Sequence, residues 1–233
     1  MISVIFSTNN EIRNNYLKKS FDAIQNQDRK YEIIVVDNWS TDNTLELCKK
    51  YTKKIYNLYN SNRAQRFNLG FKKSIWDIVL FHHPVCILPT DSFWNLEKSL
   101  SWKNIRWWYT HSFDNDSFLL KFTSWYSGQV RWQRGILYVD HCIFAKRKIV
   151  EKTNIFWEVD IFEDSIFSKN MLKYSKPIII KDKLITSARR FTKRWIIKQS
   201  LVNMLMKTMY YLNMDHKIMN KLYEKKDGFN VKY

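Results

Sequence analysis

Four glycines and three prolines in 233 residues leave little from which to build a flexible linker, and no Pro/Gly/Ser-rich stretch divides the chain. The glycine shortage, set amid abundant Lys, Asn and Ile, reads as compositional drift and carries no functional weight. Cysteine is scarce too. Cys48, Cys86 and Cys142 are odd in number, far apart and without a CxxC pair, which excludes a disulfide scaffold and leaves zinc unexpected. They read as buried thiols in a reducing compartment. The longest apolar tract, Trp195 to Leu212, is broken by Lys198, Gln199, Asn203 and Lys207, short of the ~20 residues a membrane span needs. Met1 to Phe6 lacks the basic leader and apolar stretch of a secretory signal, so a cytoplasmic protein is expected. Acidic residues are the last shortage: 22 Asp and Glu face 39 Lys and Arg, a formal net charge of +17, with an isoelectric point near 9.7. An anionic partner follows, and the sum alone does not choose among nucleotide phosphate, nucleic acid and an acidic membrane surface.

What is present suffices for a folded chain. At 45% hydrophobic and 16% aromatic residues, disorder is excluded despite the charge. Ile2 to Phe6 reads as a strand, Tyr16, Leu17, Phe21 and Ile24 as a helix face, and Ile33 to Val36 as a second strand. Ser40 to Thr44 then offers caps for a helix carrying Leu45, Leu47 and Tyr51. Ile55 to Tyr59 is expected as a third strand, Arg63 to Ser74 as a helix and Ile78 to Phe81 as a fourth strand, ending at His82-His83-Pro84. Strands joined by helical crossovers imply an α/β fold with a mostly parallel central sheet flanked by helices. In such sheets ligands sit beyond the carboxyl ends of the strands, which singles out four loops: 7–11, 37–42, 60–68 and 82–89. Further on, Tyr138 to Phe144 reads as a strand, Phe162 to Lys173 as a helix and Pro177 to Ile180 as a short strand. The Trp-rich segment 102–132 has no clear period.

The tail is amphipathic. Ile197, Leu201, Leu205, Met209 and Leu212 line one helical face, opposite Ser200, Asn203 and Lys207. That face is expected to pack on the chain's own domain, giving a core unit 1–191 and a helical extension 192–233. Peripheral membrane contact or self-association is the alternative, favoured by Lys193, Arg194 and Lys198 beside Trp195.

Read together, the loops resemble those of a known family. Ile2 to Ile5 leading into Thr8-Asn9-Asn10-Glu11, then Glu32 to Val36 running into Asp37-Asn38-Trp39-Ser40-Thr41-Asp42, resemble the opening of family 2 glycosyltransferases with the GT-A fold. Arg63 to Gly70, Leu80 to Pro89, Tyr138 to His141, Glu163-Asp164 and Thr186 to Arg190 follow in the order of a small bacterial subgroup. The resemblance implies a nucleoside-diphosphate sugar donor, bound by Ser7, Thr8, Asn9, Glu11, Asp37, Arg63, Asn68 and His83. An unknown glycan, lipid or small-molecule acceptor would meet it, with Asp140, His141, Arg189 and Arg190 on the acceptor or phosphate side. It also implies inverting transfer, with Asp164 as base and Glu163 as second candidate.

Each residue also has a plainer reading. Asp37 suits a base or ribose, or caps the Ser40 to Thr44 turn; Thr8 and Glu11 suit a nucleotide pocket or ordinary turn chemistry. Arg63 offers a planar fork to a diphosphate, or is a solvated surface arginine. Glu163 and Asp164 serve catalysis, or simply favour a helix amino terminus. Asp140 and His141 shape an acceptor site, or a core turn.

One departure from the family stands out. Val85 occupies the place of the aspartate in the DxD-type metal motif, and valine has no lone pair to offer. A role for Mg²⁺ or Mn²⁺ would have to find other ligands; His83 is the weak candidate, since adjacent His82 and His83 at a strand end point to opposite sides. The expected activity is therefore glycosyl transfer that is metal-independent or uses Mg²⁺ or Mn²⁺ at an unusual site, and the alternative is a catalytically silent GT-A domain that binds nucleotide, glycan or protein. Nucleic acid is not an expected partner: no recognised motif accompanies the basic charge.

Overall fold

The computed structural model describes residues 1–99, 106–130, 133, 135–153, 155–174 and 178–224. In chain order the elements are β1 Ile2–Thr8, α1 Tyr16–Gln25, β2 Tyr31–Asp37, α2 Thr44–Lys49, β3 Ile55–Asn57, α3 Arg63–Lys73, β4 Ile78–His82, β5 Cys86–Ile87 and α4 Ser92–Ser99. The second half adds β6 Arg106–Phe113, α5 Phe118–Gln129, β7 Ile143–Lys146, α6 Arg147–Lys152, α7 Glu163–Met171, β8 Ile178–Thr186, α8 Arg189–Arg194, α9 Ile196–Tyr211 and α10 His216–Glu224. The strands form a single sheet ordered β3-β2-β1-β4-β7-β6-β8-β5. β1 pairs in parallel with β2 and β4, and β2 with β3. The far half is mixed: β7 is antiparallel to β4 and β6, β8 runs parallel to β6, and β5 is antiparallel to β8.

Strict alternation on the central strands divides the core in two. Ile2, Val4 and Phe6 of β1 join Ile78 and Leu80 of β4 and Leu17, Phe21 and Ile24 of α1 on one face. Ile5, Val79 and Phe81 face the other way, against Ala64, Phe67 and Phe71 of α3. A strand buried on both faces reads as a near-continuous apolar run, which is how β1 and β4 read. The second core continues into a stack of rings. Phe81, Phe156 and Phe167 pack at centroid distances of 4.3 to 5.7 Å, which anchors α7 against the sheet.

Three expectations change. Tyr138 to Phe144 is not one strand: Val139–His141 forms a 3-10 turn, and β7 begins at Ile143 after Cys142 adopts a left-handed backbone (φ 57°). Apolar alternation there reflected burial, not extension. The short strand expected near 178 extends to Thr186, because its partner β6 runs eight residues; Pro177 lies outside the described residues, as do Trp102 and Trp132 of the Trp-rich segment. That segment supplies β6 and α5.

The tail is the third. Ile197, Leu201, Leu205 and Leu212 are more than half exposed, and of the predicted apolar face only Met209 is buried. α9 instead turns Gln199, Met206 and Met209 inward. Met206 and Met209 cluster with Met219 of α10 and with Ile161 and Phe162. The expected boundary between residues 191 and 192 falls inside α8.

Candidate active site

The carboxyl ends of β1 and β4, the turn before β7, the start of α7 and the tail helices enclose a cavity of about 320 Å³. Each wall has a local cause. At the end of β1, Ser7, Asn9 and Glu11 line the space. Their loop is tied to the loop after β2: the Asn10 side chain accepts from Thr41 N, and Glu11 N donates to Thr44 Oγ1 at 2.8 Å. At the end of β4 the two histidines part. His82 is fully buried and stacks on Phe6 at 4.5 Å, while His83 lines the cavity with Pro84 and Val85. Burial, with Arg63 and Arg189 nearby, holds the His83 imidazole well below its usual range, so it is neutral at physiological pH. Its Nδ1 accepts from Val85 N at 3.3 Å.

The opposite wall carries the acids. Phe162 takes a left-handed backbone (φ 66°), a strained setting for a bulky residue, and so turns the first residues of α7 inward. Glu163 and Asp164 are buried there, 2% and 5% exposed. Asp164 accepts from Val139 N at 3.1 Å and from Ser165 N at 2.7 Å. Burial, and then the neighbouring Glu163, push its carboxyl up to about 7 against the opposing pull of Arg63. Arg63 begins α3, where Asn62 and Gln65 form a reciprocal capping box. The arginine reaches across the cavity: its Nε donates to Glu163 Oε1, and Nη2 lies 3.5 Å from Asp164 Oδ2.

Most sequence-derived candidates meet in this space: Ser7, Asn9, Glu11, Arg63, His83, Asp140, His141, Glu163, Asp164, Arg189 and Arg190 all line it. Three do not. Asn68 is spent on the backbone of Phe156, donating to its carbonyl at 2.9 Å and accepting from its N–H at 3.0 Å, so a ligand-binding role is replaced by a structural clamp. Asp37 is fully buried and accepts from Thr8 Oγ1 (2.7 Å), Ser40 N (2.6 Å) and Ser40 Oγ (2.7 Å). Its carboxylate thus organises the loop after β2, and Thr8 is engaged as its partner. The arrangement also bears on the reading of Arg63, whose guanidinium is an ion-pair partner of the acids.

Other cations take part. Arg189 Nη2 pairs with Glu11 Oε2 at 3.2 Å; burial raises the Glu11 carboxyl, and Arg189 opposes that rise. The Arg190 guanidinium lies 4.7 Å above the Tyr223 ring of α10. Arg66 and Lys207 were missed. Arg66 is 3% exposed, and donates from Nε to Ser7 Oγ at 2.7 Å and from Nη1 to the Ser61 carbonyl. Its spacing of three from Arg63 was the available signal, since residues at i and i+3 share a helix face. Lys207 carried no such signal, because it stood on the face of α9 expected to meet solvent.

On the inner floor, His111 and His141 meet edge to face at 4.0 Å, and His141 Nε2 lies 3.2 Å from Ser127 Oγ and 3.7 Å from Asp140 Oδ1. These residues do not fit a hard divalent ion. Val85 supplies no ligand, the neutral His83 already accepts a backbone N–H, and among the described residues no three His, Cys, Asp or Glu side chains converge on a point. No helix among the described residues is long and apolar enough to cross a membrane.

Residues 3–92 match the family model described as glycosyl transferase family 2. No curated protein matches the sequence. Among solved structures, S. aureus TarS 1-349 in complex with UDP-GlcNAc superposes with a TM-score of 0.66 at 18% identity, covering 80% of this chain and 58% of that one. The mannosyltransferase PcManGT from Pyrobaculum calidifontis, in complex with GDP-Man and Mn²⁺, gives 0.68 at 17% identity, covering 90% of this chain and 64% of that one. The chain thus spans less than two thirds of the length of either, and at these identities the likeness is one of fold. The match over the first parallel half of the sheet makes residues 3–92 similar to glycosyl transferase family 2, and the architecture shared beyond it gives the chain the GT-A fold.

Proposed function

We propose that the chain transfers a sugar from a nucleoside-diphosphate donor to an acceptor hydroxyl with inversion, without an aspartate-held metal ion. The observation that carries this reading is Asp164: a buried carboxyl at the cavity wall, oriented by Val139 N–H and titrating at about 7. A general base works best when its pKa lies near the working pH. In the reaction the acceptor oxygen attacks the anomeric carbon and the bond from that carbon to the diphosphate oxygen breaks. The electron pair leaves with the diphosphate and the acceptor proton passes to Asp164. Glu163 and Arg63 act beside it, the arginine opposing the rise that burial and Glu163 impose on the Asp164 carboxyl. Arg189 and Arg190 are the cations we assign to the leaving diphosphate, with Arg66 bracing Ser7 at the donor side. The free, buried state of all three cysteines fits a reducing compartment.

Val85 favours a second reading, in which the domain binds a nucleotide-sugar and does not turn it over. UDP- and GDP-sugars, titrated with and without Mn²⁺ and followed by release of nucleoside diphosphate, separate the two. The transferase reading expects binding indifferent to Mn²⁺, and release that falls about 10²- to 10⁴-fold in Asp164→Asn with donor affinity retained. Turnover unchanged in that variant would remove Asp164 as base. Binding with no release under any acceptor would establish the silent domain, and no binding at all would discard the donor site.

A further inference from the structure

α9 is an amphipathic helix mounted with its apolar side outward. Ile197, Leu201, Met204, Leu205, Tyr211 and Leu212 are each 55% exposed or more, and Trp195 at the helix start is 81% exposed. At about 100° per residue these positions share roughly one third of the circumference. The buried Gln199 and Met206 lie on the opposite side. Neighbouring α5, which touches α9, repeats the arrangement: Phe118, Phe122 and Trp125, at i, i+4 and i+7, stand in solvent. Both helices give inward positions to the cavity, Thr123 from α5 and Asn203, Met206 and Lys207 from α9. Their apolar faces are therefore the sides turned away from it. Ile218 and Leu222 on α10 are also exposed, again at i and i+4. An apolar surface of this extent marks a site of interaction.

Charge selects the partner. From Lys183 to Met214 inclusive there are seven Lys or Arg residues and no Asp or Glu; Arg189, Arg190 and Lys207 line the cavity, and Lys193 and Lys198 are exposed on either side of Trp195. A second copy of the chain would set cations against cations. An anionic bilayer satisfies both features at once, taking the apolar side chains into the headgroup and acyl boundary while lipid phosphates meet the lysines. Sixteen residues make a helix of about 24 Å, suited to lie along the interface and too short to span it.

We infer that α9, with the outward faces of α5 and α10, is a docking surface for an anionic lipid bilayer, and that docking sets the cavity beside the membrane. Flotation of the full chain with vesicles of phosphatidylcholine alone, or mixed with phosphatidylglycerol, tests this at low and high salt. The chain should float with the anionic vesicles, less so at high salt, and far less with the neutral ones. Leu201→Glu/Leu205→Glu should weaken binding about tenfold or more, and Lys198→Glu, a surface change, about fivefold or more, both with unaltered circular dichroism. Absence of flotation with either vesicle, equal flotation with both, or wild-type flotation of the two variants would overturn the inference. So would light scattering that revealed a dimer broken by Leu201→Glu/Leu205→Glu without vesicle binding, which would give the face to self-association.

Discussion

Burial of Asp164 beside Glu163 sets two pH dependences of opposite sense. In the base role proposed for it the carboxylate must be ionised, so kcat/KM should rise with pH and level off above about 7. For stability the sign reverses. The folded state holds this proton up to about 7 where the unfolded chain releases it near 3.8, so the native form binds more protons in between and its stability falls as pH climbs through that window. Asp164→Asn should flatten this part of the stability profile in denaturant titrations at pH 4.5 and 7.5; a profile unchanged from wild type would mean that another group carries it. Arg63 is the counterweight. Arg63→Met should move the acid limb of kcat/KM to higher pH and cost on the order of 2 kcal/mol, because two buried carboxylates lose a partner that is itself partly in solvent. Arg63→Lys should restore part of both. A purely structural arginine would change the stability and leave the limb in place. Asp164 was singled out by the resemblance of Phe162-Glu163-Asp164 to the family's base position, whereas the Arg63 pairing was not foreseen, since it joins positions a hundred residues apart.

At the scale of elements, α3 fixes Arg63 and Arg66 because it lies very close to β1. A Cβ added at Gly70 would run into the Ile5 side chain, so the glycine is there for approach and not for an unusual backbone angle. Gly70→Ala should cost roughly 1–3 kcal/mol, read as a lowered denaturation midpoint, since relieving the clash would push α3 away from the sheet. Little change would show that the Ile5 methyl can rotate aside. α3 was readable from sequence down to its caps, because period and capping are local properties. The orientation of α9 was not. Its apolar stripe predicted burial, and the preference was overruled by what α9 covers: a polar cavity that uses Asn203 and Lys207, and a cluster closed by Met206, Met209 and Met219.

Over the whole molecule, 39 cations against 22 acids give a formal charge of +17, and self-repulsion of that size opposes compaction. Raising salt from about 0.05 to 0.5 M shrinks the screening length several-fold, so Tm should increase in a non-binding salt such as sodium chloride. A fall would mean that attractive pairs such as Arg189–Glu11 and Lys54–Glu32 outweigh the repulsion. The excess is not spread through the cavity. Arg63, Arg66, Arg189, Arg190 and Lys207 there face Glu11, Asp140, Asp160, Glu163 and Asp164, the last about half ionised at neutral pH, so a diphosphate would be recognised more by the placement of individual guanidinium groups than by net charge.

By itself the sequence determined the parallel half of the sheet. Ile2 to Phe6, Ile33 to Val36 and Ile78 to Phe81 are short runs buried on both faces with helical crossovers between them, and local pattern is enough to specify such units. It also indicated that His82 and His83 part company, because strand alternation needs no partner to be known, whereas the reading of Val85 as standing in a metal aspartate's place came from the family resemblance alone. Tertiary structure alone decided which polar groups are already spent: Asn68 on Phe156, Asp37 on Thr8 and Ser40, and Arg63 on the acids it faces. It also decided which side of α9 meets water. Hydrogen-bond satisfaction and burial depend on what the far end of the chain brings alongside, and no local window of sequence contains that information.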